Sequence, residues 1–217
     1  MDLTPEIDLA KGIAGQRGAA VIQYIQDFHR RRRARFEEAV LEDTHMEAAE
    51  IADRIEGDEL LAEVLENGWD AAERTASDYK IRLLARVAAQ ALTDSVQVDT
   101  GQLRMRTFRE LDEQDVHALA LLARADEERA SSNSVVETVE AQTRYRVQRT
   151  GSQTGAARAL ALRMGPDSGA AADAINAALE RQGLIWSDPA VSISWGFTDY
   201  GRQIVRFLNE MESGSDG

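Results

Sequence analysis

The sequence predicts a mainly α-helical chain in two parts, an N-terminal antiparallel helical bundle and a C-terminal segment where helices give way to a short β-hairpin. Three observations carry this. The 217 residues are 43% hydrophobic but only 6% aromatic, and they include just Pro5, Pro166 and Pro189 as helix breakers, a composition suited to a helical core. Apolar residues recur at helical spacing through the first two-thirds, with short connections between the stripes. From about residue 135 the pattern changes, and turn residues enclose two short apolar runs.

The elements follow in order. Residues 1–17 form an arm, and 18–125 an acidic helical bundle. One long helix is predicted from 18 to about 55, its stripe built from Val21, Tyr24, Ile25, Phe28, Phe36, Val40, Ile51 and Ile55. Gly57 ends it, and Asp58 caps the next, which carries Leu60, Leu61, Val64 and Leu65. Thr75-Ala-Ser-Asp78 has capping-box spacing ahead of Ile81, Leu84, Ala88 and Ala91. Asp99 opens a helix with Leu103, Thr107, Phe108 and Leu111 inward, and Asp112 caps one bearing Val116, Leu119, Ala120 and Ala123. The polar run 126–134 reads as a linker and 213–217 as a flexible tail.

Between them, residues 135–212 read as helix, helix, two strands, helix. Ser152 or Thr154 caps a helix with Ala157, Leu160, Ala161 and Met164 inward. A dense turn at 165–169 leads to a second helix ending at Arg181, which Gly183 closes. Leu184-Ile-Trp186 and Val191-Ser-Ile-Ser-Trp195 are strands, and Thr198 caps a last helix with Ile204, Val205, Phe207 and Leu208 inward.

This order, with Leu179-Glu-Arg-Gln-Gly-Leu-Ile185 and Phe197-Thr-Asp-Tyr-Gly-Arg202, resembles the winged helix-turn-helix superfamily over residues 150–212. The resemblance implies a C-terminal winged helix with a two-stranded wing, and helix 169–181 as the element facing DNA. The N-terminal half resembles an uncharacterised bacterial helical-bundle family. Its echoes are the basic-then-acidic run from Arg30 to Glu42, the stretch Ala71–Ala85, and Leu111-Asp-Glu-Gln-Asp-Val-His117. That likeness implies no activity.

Charge sharpens the reading. The chain carries a net −13, but residues 1–35 hold 7 basic and 4 acidic groups, 36–140 hold 10 and 26, and 141–217 hold 8 and 8. The acidity therefore belongs to the bundle. Residues 141–166 contain Arg144, Arg146, Arg149, Arg158 and Arg163 and no acid, a composition suited to phosphate contacts or to neutralising the bundle in cis. On the helix 169–181, Asn176 and Arg181 are the candidates nearest the bases, among Asp173, Glu180 and several alanines.

Other chemistries find little support. With no cysteine, the chain lacks disulfides and thiol nucleophiles, and no phosphate-binding glycine loop occurs. Glu42-Asp-Thr-His45 has the spacing of a di-iron helix, but the matching position before His117 is Gln114. No enzyme activity, metal or cofactor is implied. The acidic N-terminus is no secretory signal, no run is long enough to span a bilayer, and a cytoplasmic location is the expectation.

The leading expectation is thus a non-catalytic regulator, acting in transcription, whose winged helix-like domain contacts DNA and whose bundle oligomerises or senses. The alternatives are a protein-interaction adaptor whose winged helix does not bind DNA, and a peripheral membrane protein using the stripe from Val21 and the Arg30–Arg33 cluster.

Overall fold

The computed structural model describes residues 16–94, 98–131, 155–165, 168–187 and 195–214. Among these residues it is mainly helical, with nine helices and one two-stranded antiparallel sheet. The chain divides into two compact units, 1–109 and 110–217.

The first unit contains α1 (Gln16–Thr44), α2 (Ala48–Ile55), α3 (Glu59–Arg74), α4 (Asp78–Thr93) and α5 (Val98–Glu110). The predicted helix 18–55 is two helices. Thr44 bonds back through Oγ1 to the Val40 carbonyl and accepts from the Met46 amide, while His45 takes a left-handed φ of 55°. The helix breaks here without glycine or proline, which is why composition did not signal it.

Cross-helix contacts fix directions. Gly68 on α3 lies against Phe36 on α1, and His29 on α1 against Glu73 on α3, so these helices run antiparallel. Arg35 pairs with Asp78 and Arg86 with Asp43, which makes α1 and α4 parallel. Gln90 meets Arg104 and Lys80 meets the Arg109 carbonyl, setting α5 antiparallel to α4. The helices α1, α3, α4 and α5 thus alternate in direction. Helix α4 is central: Ile81, Leu83, Leu84, Val87, Ala88, Ala91 and Leu92 are all buried, spread around more than one face. Asp58 caps α3 through the Leu61 amide as expected. The cap of α4 is Ser77, not Thr75, with Ser77 Oγ accepting from the Lys80 amide. Leu60 and Leu103, expected inward, are exposed.

The second unit contains α6 (Glu113–Ser131), α7 (Gly155–Met164), α8 (Gly169–Arg181), β1 (Ile185–Ser187), β2 (Trp195–Phe197) and α9 (Asp199–Gly214). Helix α6 was expected to close the bundle. It packs on α7, α8 and α9, with Val116, Leu119 and Leu122 buried. It also runs through 126–131, where the linker was expected, because Ala, Glu and Arg sustain a helix whose face is solvated. Ser213 and Gly214, expected in the tail, lie in α9. The anticipated caps at 152 and 154, the strand residues 191–194 and the linker residues 132–134 lie outside the described residues.

A tight junction organises this unit. Gly183, at φ 66°, ends α8: its amide donates to the Glu180 carbonyl and the Leu184 amide to that of Leu179. This is a Schellman closure, and its usual apolar pair, Leu179 with Leu184, is fully buried. The Leu184 carbonyl then accepts from the Thr198 amide, and Thr198 Oγ1 donates to the Gly183 carbonyl while capping the Gly201 amide at 2.9 Å. The strands between pair Ile185 with Phe197, Trp186 with Gly196 and Ser187 with Trp195. The Trp186 indole lies over Gly196, where a Cβ would approach it to 3.0 Å. At Gly201 a Cβ would overlap the Leu184 carbonyl oxygen. Gly201→Ala is therefore expected to destabilise this unit by more than about 2 kcal/mol, read from the tryptophan fluorescence transition in urea.

Candidate functional site

Helix α8 carries two of the candidate base-reading residues, Asn176 and Arg181. Its buried stripe is Ala172, Ile175, Asn176 and Leu179, at i, i+3, i+4 and i+7. Asn176, expected to reach bases, is only 4% exposed and therefore points inward. Its Oδ1 is buried without a hydrogen-bond partner. The signal was present in the spacing, since 176 falls one turn after Ala172, but its polar character argued for the surface. The exposed face comprises Ala170, Ala171, Asp173, Ala174, Ala177 and Arg181. It is flat, with one acid and one base, and holds no amide to read adenine.

The remaining described candidates are Arg163, Arg158 and Arg181. Arg163, six residues before α8 begins, forms an ion pair with Glu128 of α6. Its side chain is 26% exposed and that of Glu128 is 68% exposed, so the acid masks the base. Arg158 is half-buried on α7 and engaged in its own interactions. Arg181 stands exposed at the opposite end of α8, where a cation suits the helix dipole. Arg144, Arg146 and Arg149 lie outside the described residues. The structure thus joins Arg163 to an acid and separates it from Arg181 by the length of a helix.

The basic cluster of α1 has a structural task that sequence reading did not assign. Arg32 Nη1 donates to the Glu73 carbonyl at 3.2 Å, and His29 Nδ1 lies 3.0 Å from the same oxygen. A carbonyl only accepts, so that imidazole nitrogen carries the proton in this contact. Glu73 sits in the last turn of α3, where carbonyls have no partner within the helix. Arg32 also stacks 3.5 Å from the Phe28 ring centroid, and Arg33 stands 4.4 Å from that of Trp69. Burial lowers the pKa of Arg32, repulsion from Arg35 adds to this, and Asp78 opposes it. The same device recurs elsewhere: Arg54 of α2 caps the Leu92 carbonyl of α4 at 2.6 Å, and buried Lys80 of α4 the Arg109 carbonyl of α5 at 3.2 Å. No motif flagged these pairs, because they join residues 29 to 44 positions apart.

Among the described residues no three metal-ligating side chains come together. His45 occupies the turn after α1, and His117 lies near Glu113 at 3.7 Å on an exposed face. No helix among the described residues is long and apolar enough to cross a membrane.

Comparison with known proteins adds no kin: no family model, no curated protein and no solved structure matches the chain. The winged-helix likeness and that of the N-terminal half rest on the residues alone.

Two substitutions test these assignments. Arg32→Ala is expected to cost about 1–2 kcal/mol, as the loss of a charged hydrogen bond, whereas Arg30→Ala, at an 80% exposed side chain, stays within about 0.5 kcal/mol. Equal effects in urea denaturation would remove the capping role. Asn176→Leu is expected to leave stability unchanged or raise it by about 1 kcal/mol, because it removes an unpartnered buried oxygen. A loss larger than that would show the amide to be bonded.

Proposed function

We propose that the protein is a non-catalytic interaction protein in which residues 110–214 form a winged helix-like module that docks on a protein through the exposed face of α8. The order of three helices, hairpin and helix supports the winged-helix reading. The observation that carries the docking reading is the composition of that face: alanines allow a partner backbone to approach closely, while Asp173 repels phosphate and Asn176 is turned inward. Leu162 and Met164, at the end of the preceding helix, add exposed apolar surface. In this reading Arg163 serves the fold through Glu128. The N-terminal bundle acts as the module's oligomerising or sensing partner.

A second reading keeps DNA as the ligand. It is favoured by the acid-free run 141–166 with its five arginines, which suits backbone phosphates without base recognition. The peripheral membrane reading loses support, since Arg32 and Arg33 of its cluster engage the bundle itself.

A photo-crosslinking residue at Ala177 separates these readings. Protein docking predicts discrete protein adducts in cells, abolished by Ala174→Arg. DNA contact predicts nucleic-acid adducts, and the added arginine then strengthens binding in a low-salt shift assay by about tenfold or less. Nucleic-acid adducts, or protein adducts indifferent to Ala174→Arg, would overturn the docking reading.

A further inference from the structure

The N-terminal unit carries opposite charge at its two ends. On α1, His29 and Arg32 reach the last turn of α3, and Arg35 reaches the first residue of α4. The residues of α1 before Phe28 therefore lie past the ends of both helices. There Tyr24 is 64% and Ile25 43% exposed, and the Tyr24 and Phe28 rings stack at 6.3 Å. Residues 28–35 add five arginines and no acid. Arg32, Arg33 and Arg35 engage the bundle itself. Arg30 and Arg31 face outward: Arg30 is 80% exposed, 3.6 Å from Asp27, and exposed Arg31 commits Nε to the Asp27 carbonyl.

The other end is acidic. Helix α4 runs parallel to α1, and the Leu92 carbonyl in its last turn is capped by Arg54 of α2. Helix α2 and the start of α3 thus sit about 24 Å from Phe28, the rise of α1 from there to Thr44. Residues 47–59 hold six acids and one base. Asp58 caps α3, and Glu50 lies 3.9 Å from Arg54. Glu47, Asp53, Glu56 and Glu59 are exposed. Apolar surface accompanies them: α2 buries none of its residues, Ile51 and Ile55 are half-buried, and Leu60 is 47% exposed.

We propose that the basic end of α1 docks head to tail on the acidic end, α2 with the first turn of α3, of a second copy of this chain. Arginines of one copy meet carboxylates of the next, which sets orientation and encounter rate. The uncovered apolar side chains at both ends supply the buried area. Pairing like ends about a two-fold axis brings arginine toward arginine or acid toward acid. An anionic bilayer attracts the basic end but repels a chain of net −13. Because the two surfaces lie at opposite ends of one unit, each contact leaves a head and a tail unused, so association continues until a ring closes. Head-to-tail docking rests on the oligomerising role given to the bundle above, and it is independent of the α8 face, which the test leaves intact.

Sedimentation velocity of the full chain, from micromolar to submillimolar protein, reads the assembly. The expected result is growth beyond the monomer with concentration, weakened by high salt. Arg30→Glu plus Arg31→Glu, and separately Asp53→Lys plus Glu56→Lys, each weaken association by about tenfold or more. All four side chains are exposed, and far-ultraviolet circular dichroism checks that both variants fold. Mixing the two variants restores association, because each keeps the end that the other has lost. If either variant associates like the wild type, or if the mixture of folded variants stays as small as its parts, head-to-tail docking is overturned and the oligomerising role survives. A wild-type chain that stays monomeric throughout overturns both.

Discussion

Three of the four long helices of the N-terminal unit end on a cation supplied by another helix. Glu73 of α3, Leu92 of α4 and Arg109 of α5 offer carbonyls to His29 with Arg32, to Arg54 and to Lys80. Each contact satisfies an acceptor that the helix cannot satisfy itself, and Arg32, Arg54 and Lys80 set a positive charge at the negative end of a dipole. Each also works only in one register, since a shift of one turn moves the cation about 5.4 Å from its carbonyl. The alternating directions of α1, α3, α4 and α5 depend on these ties as much as on the apolar seam where Phe36 and Met105 meet at Gly68.

The same constraint changes the meaning of the protein's charge. A chain with a cluster of arginines invites a search for polyanions, yet several of these arginines serve helix ends and aromatic rings inside their own unit. Arg35 and Arg86 serve Asp78 and Asp43. In the C-terminal unit Glu128 performs the reverse service for Arg163. Surface ion pairs of this kind contribute little each, about 0–1 kcal/mol, and the carbonyl contacts matter more because the alternative is an orphaned acceptor.

The sequence announced the elements more fully than their partners. Asp58, Gly183 and Thr198 were legible because caps and left-handed turns are local chemistry, confined to a few neighbouring residues. The break at His45 was not, since it rests on a threonine hydroxyl in a stretch that otherwise favours helix. The contacts of α6 with α7, α8 and α9 were not legible, because an amphipathic stripe shows that a helix packs and is silent on where. Asn176 shows the limit for the site: its spacing said buried, its polarity said exposed, and the spacing was the better guide. Arg32 and Lys80 escaped notice because their acceptors are backbone atoms, which every sequence contains.

The Leu184 junction and the helix-end contacts differ in how far along the chain they reach. Thr198 meets Gly183 across 15 residues, and the hairpin lies wholly within that loop. The helix-end contacts of the bundle span 44, 41, 38 and 29 residues. Closing a loop of about 40 residues costs roughly 0.9 kcal/mol more chain entropy than closing one of about 15. The Leu184 junction therefore closes at a smaller cost in chain entropy than the helix-end ties of the bundle. The bundle, by contrast, gains its directional ties only after distant segments have met.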